Sequence, residues 1–181
     1  MRTNTTALEI QWVRTAAEHE TVAQLRRTVY GEELGLLNKT EDVFDRYDQH
    51  SRLLVVYEKN LPVATSRFTI DTDGPLEIDD VVHWRAALPR DVPRDLPTAE
   101  WSRNIVKREA RGRGLLAAMW PYFYAEAKRR GARMLCGACV EALKPSYERF
   151  GFTFLLNAPF RVEAFHGSPI YYPAYRYLGE S

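Results

Sequence analysis

Long apolar runs are absent from this sequence, and none approaches the ~18 consecutive apolar residues of a membrane-spanning helix. Residues 1–6 also contain no apolar core of the kind that a secretory signal has. The formal net charge is only +1, which gives no general attraction to nucleic acid. These absences predict a cytoplasmic protein without a membrane span and without a nucleic-acid partner.

Cysteine is scarce, with Cys136 and Cys139 in a single Cys-x-x-Cys pattern. A zinc site would need two more ligands, and the histidines show no paired spacing. On a strand, positions i and i+3 point to opposite faces, so the two sulfurs should diverge. We therefore predict buried structural thiols, no metal site and no tightly bound cofactor. The four histidines concerned are His19, His50, His83 and His166.

The chain has 181 residues, of which 45% are hydrophobic, and this predicts a single globular domain over residues 1–181. Apolar periodicity predicts strands at residues 8–13, 52–57, 61–70, 100–106, 134–140 and 170–178, with helices at 16–30, 115–130 and 145–149. Residues 58–60 favour a hairpin, and the segment with Pro89, Pro93 and Pro97 favours an irregular loop over a site. The order predicts a mixed α/β sheet with helices on both faces and two central strands that splay apart.

The glycine turn at residues 111–114, Arg-Gly-Arg-Gly, lies between a predicted strand and a predicted helix. Such a turn presents unpaired backbone N–H groups at the positive end of a helix dipole, which suits a phosphate. Arginine side chains can add charge-assisted contacts. An ordinary strand-to-helix turn is the alternative interpretation.

With the strand at 134–136 and residues 147–152, this turn resembles the GNAT superfamily of N-acetyltransferases, whose acyl-CoA pyrophosphate sits on an Arg/Gln-x-x-Gly-x-Gly/Ala loop. Leu116 stands where that superfamily usually has Gly or Ala. The resemblance implies the GNAT fold, an oxyanion donor at the backbone of Ile105 or Val106, and Tyr147 as general acid. Helix packing is an equal alternative for Tyr147. The residues implied to hold the donor are Ile105, Val106, Arg111, Gly112, Arg113, Gly114, Leu115 and Leu116.

A second resemblance is carried by residues 25–35, 45–48, 64–68 and 100–103. In order, these are similar to the acyl-homoserine lactone synthases and the related long-chain N-acyl amino acid synthases. The chain departs from the lactone synthases by having the glycine turn and by having Asn104 where an apolar residue is usual. The resemblance implies that the acceptor end of the cleft is lined by Arg27, Tyr30, Asp45, Asp48, Arg67, Glu100, Trp101 and Arg103.

Charged residues in the middle of apolar strands are costly to bury without partners, which favours a site over a random surface for Arg67, Glu100 and Arg103. A surface turn stabilised by Asp45 and Asp48, with a structural salt-bridge network, is the alternative. If an arginine pairs with Glu100, its carboxylate should stay ionised and serve as the base that deprotonates an amine.

These residues predict an N-acyltransferase that moves an acyl group from a phosphopantetheine thioester, acyl-CoA or acyl-carrier protein, to a small-molecule amine such as an amino acid. The alternatives are a lactone synthase that uses S-adenosylmethionine and a non-catalytic acyl-CoA-binding sensor. The basic residues 128–130 and Arg133 either receive a carrier protein or CoA phosphate or form a solvated helix end.

The resemblance also implies acyl chains longer than acetyl. Candidate lining residues are Trp101, Met119, Phe123 and Phe150, although each is equally typical of a packed core. Residues 89–97 directly precede the strand that carries Glu100, so we expect them to border the acceptor mouth.

Overall fold

The computed structural model describes residues 7–38, 41–163, 165 and 167–179. The expectations about residues 1–6 and His166 lie outside these ranges. Seven strands form one sheet in the order β1-β2-β3-β4-β5-β7-β6, antiparallel except for the β4–β5 pair. The strands are β1 Leu8–Trp12, β2 Arg52–Glu58, β3 Leu61–Ile70, β4 Thr98–Val106, β5 Met134–Val140, β6 Thr153–Phe154 and β7 Tyr171–Tyr177. This confirms the predicted mixed α/β sheet.

Four α-helices and several tighter turns connect the strands. The α-helices are α1 Ala16–Arg26, α2 Glu77–Val81, α3 Leu115–Arg129 and α4 Lys144–Arg149. A capping box between Thr15 and Glu18 starts α1, which continues as a π-helix over Arg27–Glu33. Short 3₁₀ turns lie at Arg46–His50, Trp84–Ala87, Arg108–Ala110 and Glu141–Leu143. No helix within the described residues is long and apolar enough to cross a membrane.

The β2–β3 hairpin forms as predicted, because Lys59 and Asn60 take positive φ angles of 52° and 63°. Two consecutive residues with positive φ match the right-handed twist of the strands that they join.

The central strands β4 and β5 pair only where Thr98–Trp101 meets Met134–Gly137. Beyond Trp101, β4 continues to Val106 beside β3, while β5 continues to Val140 beside β7. The two strands therefore splay apart after Gly137, as predicted, and we call the space between them the opening.

A β-bulge interrupts β4 beside the opening. Arg67 is paired with Ser102 and Thr65 with Ile105, so β4 has one residue more than β3 in this interval. Arg103 takes a φ of 51° within it. An extra residue shifts the alternation of side chains, which decides the direction of Arg103 and Asn104 below.

The sheet is covered on both faces. On one face, Leu115, Met119, Phe123 and Ala127 of α3 pack with Trp101 and Leu135 in the largest core cluster. On the other face, α1 contacts β2 and β3, and the segment between β3 and β4 packs on β5. Helices on both faces are thus confirmed.

The segment before β4 is more ordered than the proline pattern predicts. Leu76, Ile78, Trp84 and Leu88 are at most 4% exposed and form a cluster with Met134, Cys136 and Tyr175. Burial of this apolar surface outweighs the prolines, so the segment contains α2 and a 3₁₀ turn and is packed core over much of its length.

The two cysteines are free and buried. Cys136 belongs to the cluster beneath α2, whereas Cys139 belongs to the cluster beneath α3. Their sulfurs therefore lie on opposite faces of β5, as the strand alternation predicts. Burial raises the pKa of the Cys139 thiol to about 12, which keeps it protonated and unreactive.

Candidate active site

A buried group of opposite charges lies where β3, β4, α1, α2 and the Arg46–His50 turn meet. Arg67 of β3 is its centre, with a side chain that is 0% exposed. Its Nη1 lies 2.6 Å from Asp45 Oδ1, its Nη2 contacts Glu77, and its Nε donates to Ser102 Oγ at 3.0 Å. We call this group the charged cluster. Its members are Arg26, Asp45, Asp48, Arg67, Glu77 and Arg103.

Arg103 enters the charged cluster because of the bulge. Its Nη2 contacts Asp45 at 2.8 Å and Glu77 at 2.5 Å, so both arginines share the same two carboxylates. Tyr30 lies beside Arg103, with the guanidinium carbon 5.9 Å from the ring centroid, and Tyr30 also packs against Phe165. The structure thus brings together Tyr30, Asp45, Arg67 and Arg103, as the resemblance implies.

Asp45 and Asp48 have two roles at once. They form the capping box of the Arg46–His50 turn, and they pair with arginines of the charged cluster. Burial raises the pKa of Asp48, but hydrogen bonds and charge from Arg26 outweigh it and hold this pKa at about 2. The structural interpretation of the Asp-x-x-Asp pattern, a turn with a salt-bridge network, is therefore observed, and Asp48 is an ionised structural partner, while a role in acceptor binding stays a prediction.

Arg27 does not belong to the charged cluster, which corrects the prediction from sequence. Its side chain is 46% exposed and pairs with Glu20 on the surface. Arg26 is the buried arginine, 1% exposed, with Nη1 and Nη2 each 2.8 Å from an oxygen of Asp48. Helical periodicity distinguishes the two arginines. Position 26 continues the apolar stripe of Val22, Leu25 and Val29, whereas position 27 does not.

Glu77 is the second residue that sequence reasoning missed. It opens α2, and its carboxylate joins Arg67 and Arg103. Its backbone N–H donates to Glu100 Oε2 at 2.8 Å. The only local hint is an acidic residue between the apolar Leu76 and Ile78. The start of α2 therefore lies directly on Glu100, and the expectation that residues 89–97 border the acceptor mouth stays a prediction.

Glu100 lies next to the charged cluster, and no guanidinium group among the described residues pairs with it. It is 3% exposed, and the arginines expected to pair with it contact Asp45 and Glu77 instead. Burial, followed by the charge of Glu77, raises the pKa of Glu100 to about 8. The pairing with Arg67 or Arg103 that would keep Glu100 ionised is therefore not formed. A carboxyl with this pKa is matched to proton exchange with an amine near neutral pH.

Trp101 is predicted at the acceptor end, but its indole is on the opposite face from Glu100. Successive residues of a strand alternate, so Trp101 points beneath α3, where it is 0% exposed and stacks on Phe123 at 5.3 Å. Its Nε1 donates to Ser66 Oγ at 2.6 Å. Met119 and Phe123 are equally buried, so these three candidate acyl-lining residues form packed core.

Tyr147 of α4 lies at the end of the β4–β5 pairing and is 2% exposed. Its hydroxyl accepts a hydrogen bond from Asn104 Nδ2 at 2.9 Å. Burial raises the pKa of Tyr147, so its phenol stays protonated at neutral pH. Its ring also packs against Trp101 and Phe152, which fulfils the packing role that the sequence allows.

The backbone of β4 beside the opening directs the N–H group of Val106 toward the opening. Lys107 N donates to Val63 O of β3 at 2.9 Å. Because successive N–H groups of a strand point to opposite edges, the Val106 N–H points away from β3, toward the opening. Of the two predicted oxyanion donors, Ile105 and Val106, it is therefore Val106 whose backbone N–H points toward the opening.

The glycine turn adopts the geometry that the pattern predicts. Gly112 and Gly114 have φ angles of 73° and 76°, and no other group lies within 4 Å of a Cβ built on either of them. Gly114 is the N-cap of α3 and accepts the bond from Ala118 N. Leu115 is buried and Leu116 is half-buried, both in the core beneath α3. An open turn with backbone N–H groups at a helix start suits a phosphate.

The two arginines of the glycine turn are held by carboxylates of the protein. Arg111 pairs with Glu33 and donates from Nε to Val106 O at 3.0 Å, while Arg113 pairs with Glu58. Their side chains are 40% and 48% exposed, whereas Glu33 and Glu58 are 10% and 17% exposed, so a phosphate can reach both arginines from solvent. Within the described residues, no group of three His, Cys, Asp or Glu side chains could hold a metal ion.

The splayed central strands and the order of the elements are those of the GNAT-like fold, and solved structures with that fold superpose on the chain. FeeM, an N-acyl amino acid synthase from uncultured soil microbes, matches with a TM-score of 0.78 at 15% identity, covering 97% of this chain and 93% of that one. The CoA-dependent acyl-homoserine lactone synthase BjaI, with SAM and isopentyl-CoA, matches with a TM-score of 0.64 at 21% identity, covering 95% of this chain and 84% of that one. The acyl-homoserine lactone synthase LasI matches with a TM-score of 0.65 at 15% identity, covering 94% of this chain and 90% of that one.

The sequence model of the family described as N-acyl amino acid synthase FeeM matches residues 21–170, and the chain belongs to that family. It is therefore an N-acyltransferase that uses acyl-thioester donors. No curated protein sequence matches the chain.

Proposed function

We propose that the protein transfers an acyl group longer than acetyl from a phosphopantetheine thioester to the amine of an amino acid. Family membership supports this acceptor class, and the bound molecules of BjaI support acyl-CoA as one form of the donor. Acyl-CoA and acyl-carrier protein are cytoplasmic, so the proposal places the enzyme in the cytoplasm.

The observation that carries the proposal is the position of Glu100. It is a buried carboxyl with a pKa of about 8, next to a cluster that offers both signs of charge. An amino acid has an ammonium and a carboxylate. Asp45 and Glu77 would bind the ammonium and Arg103 the carboxylate, each at the cost of loosening an existing pair.

The chemical steps divide among three groups on the strands and on α4. Glu100, directly or through water, takes a proton from the ammonium so that the nitrogen can attack the thioester carbon. The Val106 N–H stabilises the oxyanion that forms. Tyr147 gives a proton to the departing thiolate. The glycine turn, with Arg111, Gly112, Arg113 and Gly114, holds the pyrophosphate of the donor.

Release of free thiol tests the proposal. Octanoyl and palmitoyl donors, as CoA and as carrier-protein thioesters, are incubated with a mixture of amino acids and, separately, with S-adenosylmethionine. We expect thiol release that depends on the amino acids and exceeds that with acetyl-CoA. Consumption of S-adenosylmethionine would show a lactone synthase, and thioester binding without thiol release would show a sensor.

A further inference from the structure

The β-bulge of β4 sends two neighbouring residues to opposite sides of the sheet. Ser102 and Arg103 both contact the charged-cluster face, since Ser102 accepts from Arg67 and Arg103 pairs with Glu77. Asn104 then faces the α3–α4 side, where its Nδ2 meets Tyr147. Without the extra residue, simple alternation after Ser102 would place Asn104 on the face of Arg67. Because of the bulge, the peptide bond between Arg103 and Asn104 joins a residue of the charged cluster to the residue that contacts Tyr147.

The Asn104–Tyr147 hydrogen bond lies at the apex of the opening. A Cβ built on Gly137, the last β5 residue paired with β4, would lie 2.8 Å from Trp101 O and 3.6 Å from Tyr147 Cε1. The Tyr147 ring thus covers the point where the strands separate. From there its hydroxyl reaches Asn104, three residues beyond the last pair on β4.

The direction of this hydrogen bond matters for proton transfer. Asn104 donates to the phenol oxygen, which leaves the O–H hydrogen of Tyr147 free to point elsewhere. Burial raises the pKa of Tyr147, and the hydrogen bond from Asn104 opposes that rise by stabilising the phenolate. Asn104 Oδ1 is buried and has no hydrogen-bond partner among the described residues, so the amide keeps one acceptor for a bound molecule.

We propose that Asn104 is a positioning residue that aims the Tyr147 O–H at the sulfur of the donor thioester. The inference rests on the proposed function. In the reaction, the ammonium loses one proton to Glu100, the neutral nitrogen forms a bond to the carbonyl carbon, the carbon–sulfur bond breaks, and the nitrogen gives its second proton to solvent. The thiolate takes the Tyr147 proton, and the phenolate, stabilised by Asn104 Nδ2, is reprotonated by solvent.

The test compares donors whose leaving thiols differ in acidity. Asn104→Leu keeps the size of the side chain but cannot donate to Tyr147. With an alkyl thioester such as octanoyl-CoA, we expect kcat to fall about tenfold in Asn104→Leu and about 100-fold in Tyr147→Phe, with unchanged donor affinity. With an aryl thioester, whose thiolate leaves without a proton, both losses should shrink to less than about twofold.

The pair should also be non-additive, because Asn104 acts only through Tyr147. The double variant Asn104→Leu/Tyr147→Phe should be no slower than Tyr147→Phe alone. Equal losses with alkyl and aryl donors, or losses that multiply in the double variant, would overturn the inference, since either result would show a merely structural role. Urea unfolding of each variant identifies a loss caused by unfolding, and in that case the aryl donor would give no recovery.

Failure of the inference can be told apart from failure of the proposed function. If wild-type protein forms amide product and Asn104→Leu is fully active with octanoyl-CoA, the proposed function stands and the role of Asn104 is rejected. If wild-type protein releases no thiol from any donor with any amino acid, the proposed function fails, and with it the basis of the inference.

Discussion

The charged cluster and the glycine turn both pair arginine with carboxylates, but they do so in opposite surroundings. Arg26 and Arg67 are at most 1% exposed, whereas Arg111 and Arg113 are 40% and 48% exposed. Removing one member of a buried pair leaves an uncompensated charge, while an arginine that solvent reaches can also bind an incoming anion. The comparison indicates that Arg26 and Arg67 form the fixed part of the acceptor end, beside the less buried Arg103 and Asp45, whereas the arginines of the donor end are open to solvent.

The largest expected effect is a loss of stability when a buried ion pair of the charged cluster is removed. Arg26→Met removes the two hydrogen bonds that Arg26 donates to the buried Asp48 carboxylate, which keeps only the bond from Asp45 N and the charge of Arg67 at 3.5 Å, and we expect a loss of about 3 kcal/mol in the free energy of unfolding. Arg27→Met is the matched control on the same helix and should change this free energy by less than about 0.5 kcal/mol. Urea unfolding measures both, and equal effects would contradict the separation of the two arginines.

The next effect concerns chemistry at the acceptor end. Glu100→Gln keeps the shape and the hydrogen bond from Glu77 N but cannot take a proton, so turnover should fall about 100-fold while donor affinity survives. In the wild type, kcat/KM should rise as the pH approaches 8, because only the ionised carboxyl acts as base. Rates at several pH values check this. A variant that keeps the wild-type rate and pH profile would exclude Glu100 as the base.

A moderate effect is expected at the donor end. Gly114→Asp places a negative side chain where the pyrophosphate should bind, and the dissociation constant for CoA should rise about tenfold. Gly131→Asp is the control, because Gly131 has the same φ of 76° and open surroundings at the other end of α3. Calorimetry measures both, and unchanged CoA affinity in a folded Gly114→Asp protein would show that the turn is only structural.

A further expected effect is a pH dependence of stability. The pKa of Glu100 is raised from 4.5 to about 8 in the folded protein, so between these values the folded state holds a proton that the unfolded chain has released. This contribution is fully present below pH 4.5 and is lost as the pH rises through 8. The free energy of unfolding of the wild type, relative to Glu100→Gln, should therefore fall from about pH 5 to about pH 8. A difference that is constant with pH would contradict the raised pKa.

Much of the fold can be predicted from the sequence because local signals and burial agree. The Lys59–Asn60 turn, the glycine turn and the alternation along β5 each follow from a short pattern with one physical cause. Residues 71–97 could not be predicted in the same way. There the prolines indicate loop, while burial of Leu76, Ile78 and Trp84 in contact with residues distant in sequence decides the structure.

The candidate site divides along the same line. Arg67 and Arg103 stand out because charges on apolar strands require partners, and their partner Asp45 lies in a recognisable turn. Glu77 and the raised pKa of Glu100 depend on how α2 packs over β4, which no spacing in the sequence encodes. The side of the sheet that Asn104 faces depends on the β-bulge. Simple alternation along β4, without the bulge, would place Asn104 on the wrong side.

The most direct test of the account is the mass of the product. Wild-type protein, Glu100→Gln and Arg27→Met are each incubated with octanoyl-CoA and an equimolar mixture of amino acids, and the products are identified by mass spectrometry. We predict an N-octanoyl amino acid from wild type and Arg27→Met in similar yield, and about 100-fold less from Glu100→Gln. Absence of any amide product from the wild type, or equal yield from all three proteins, would contradict the account.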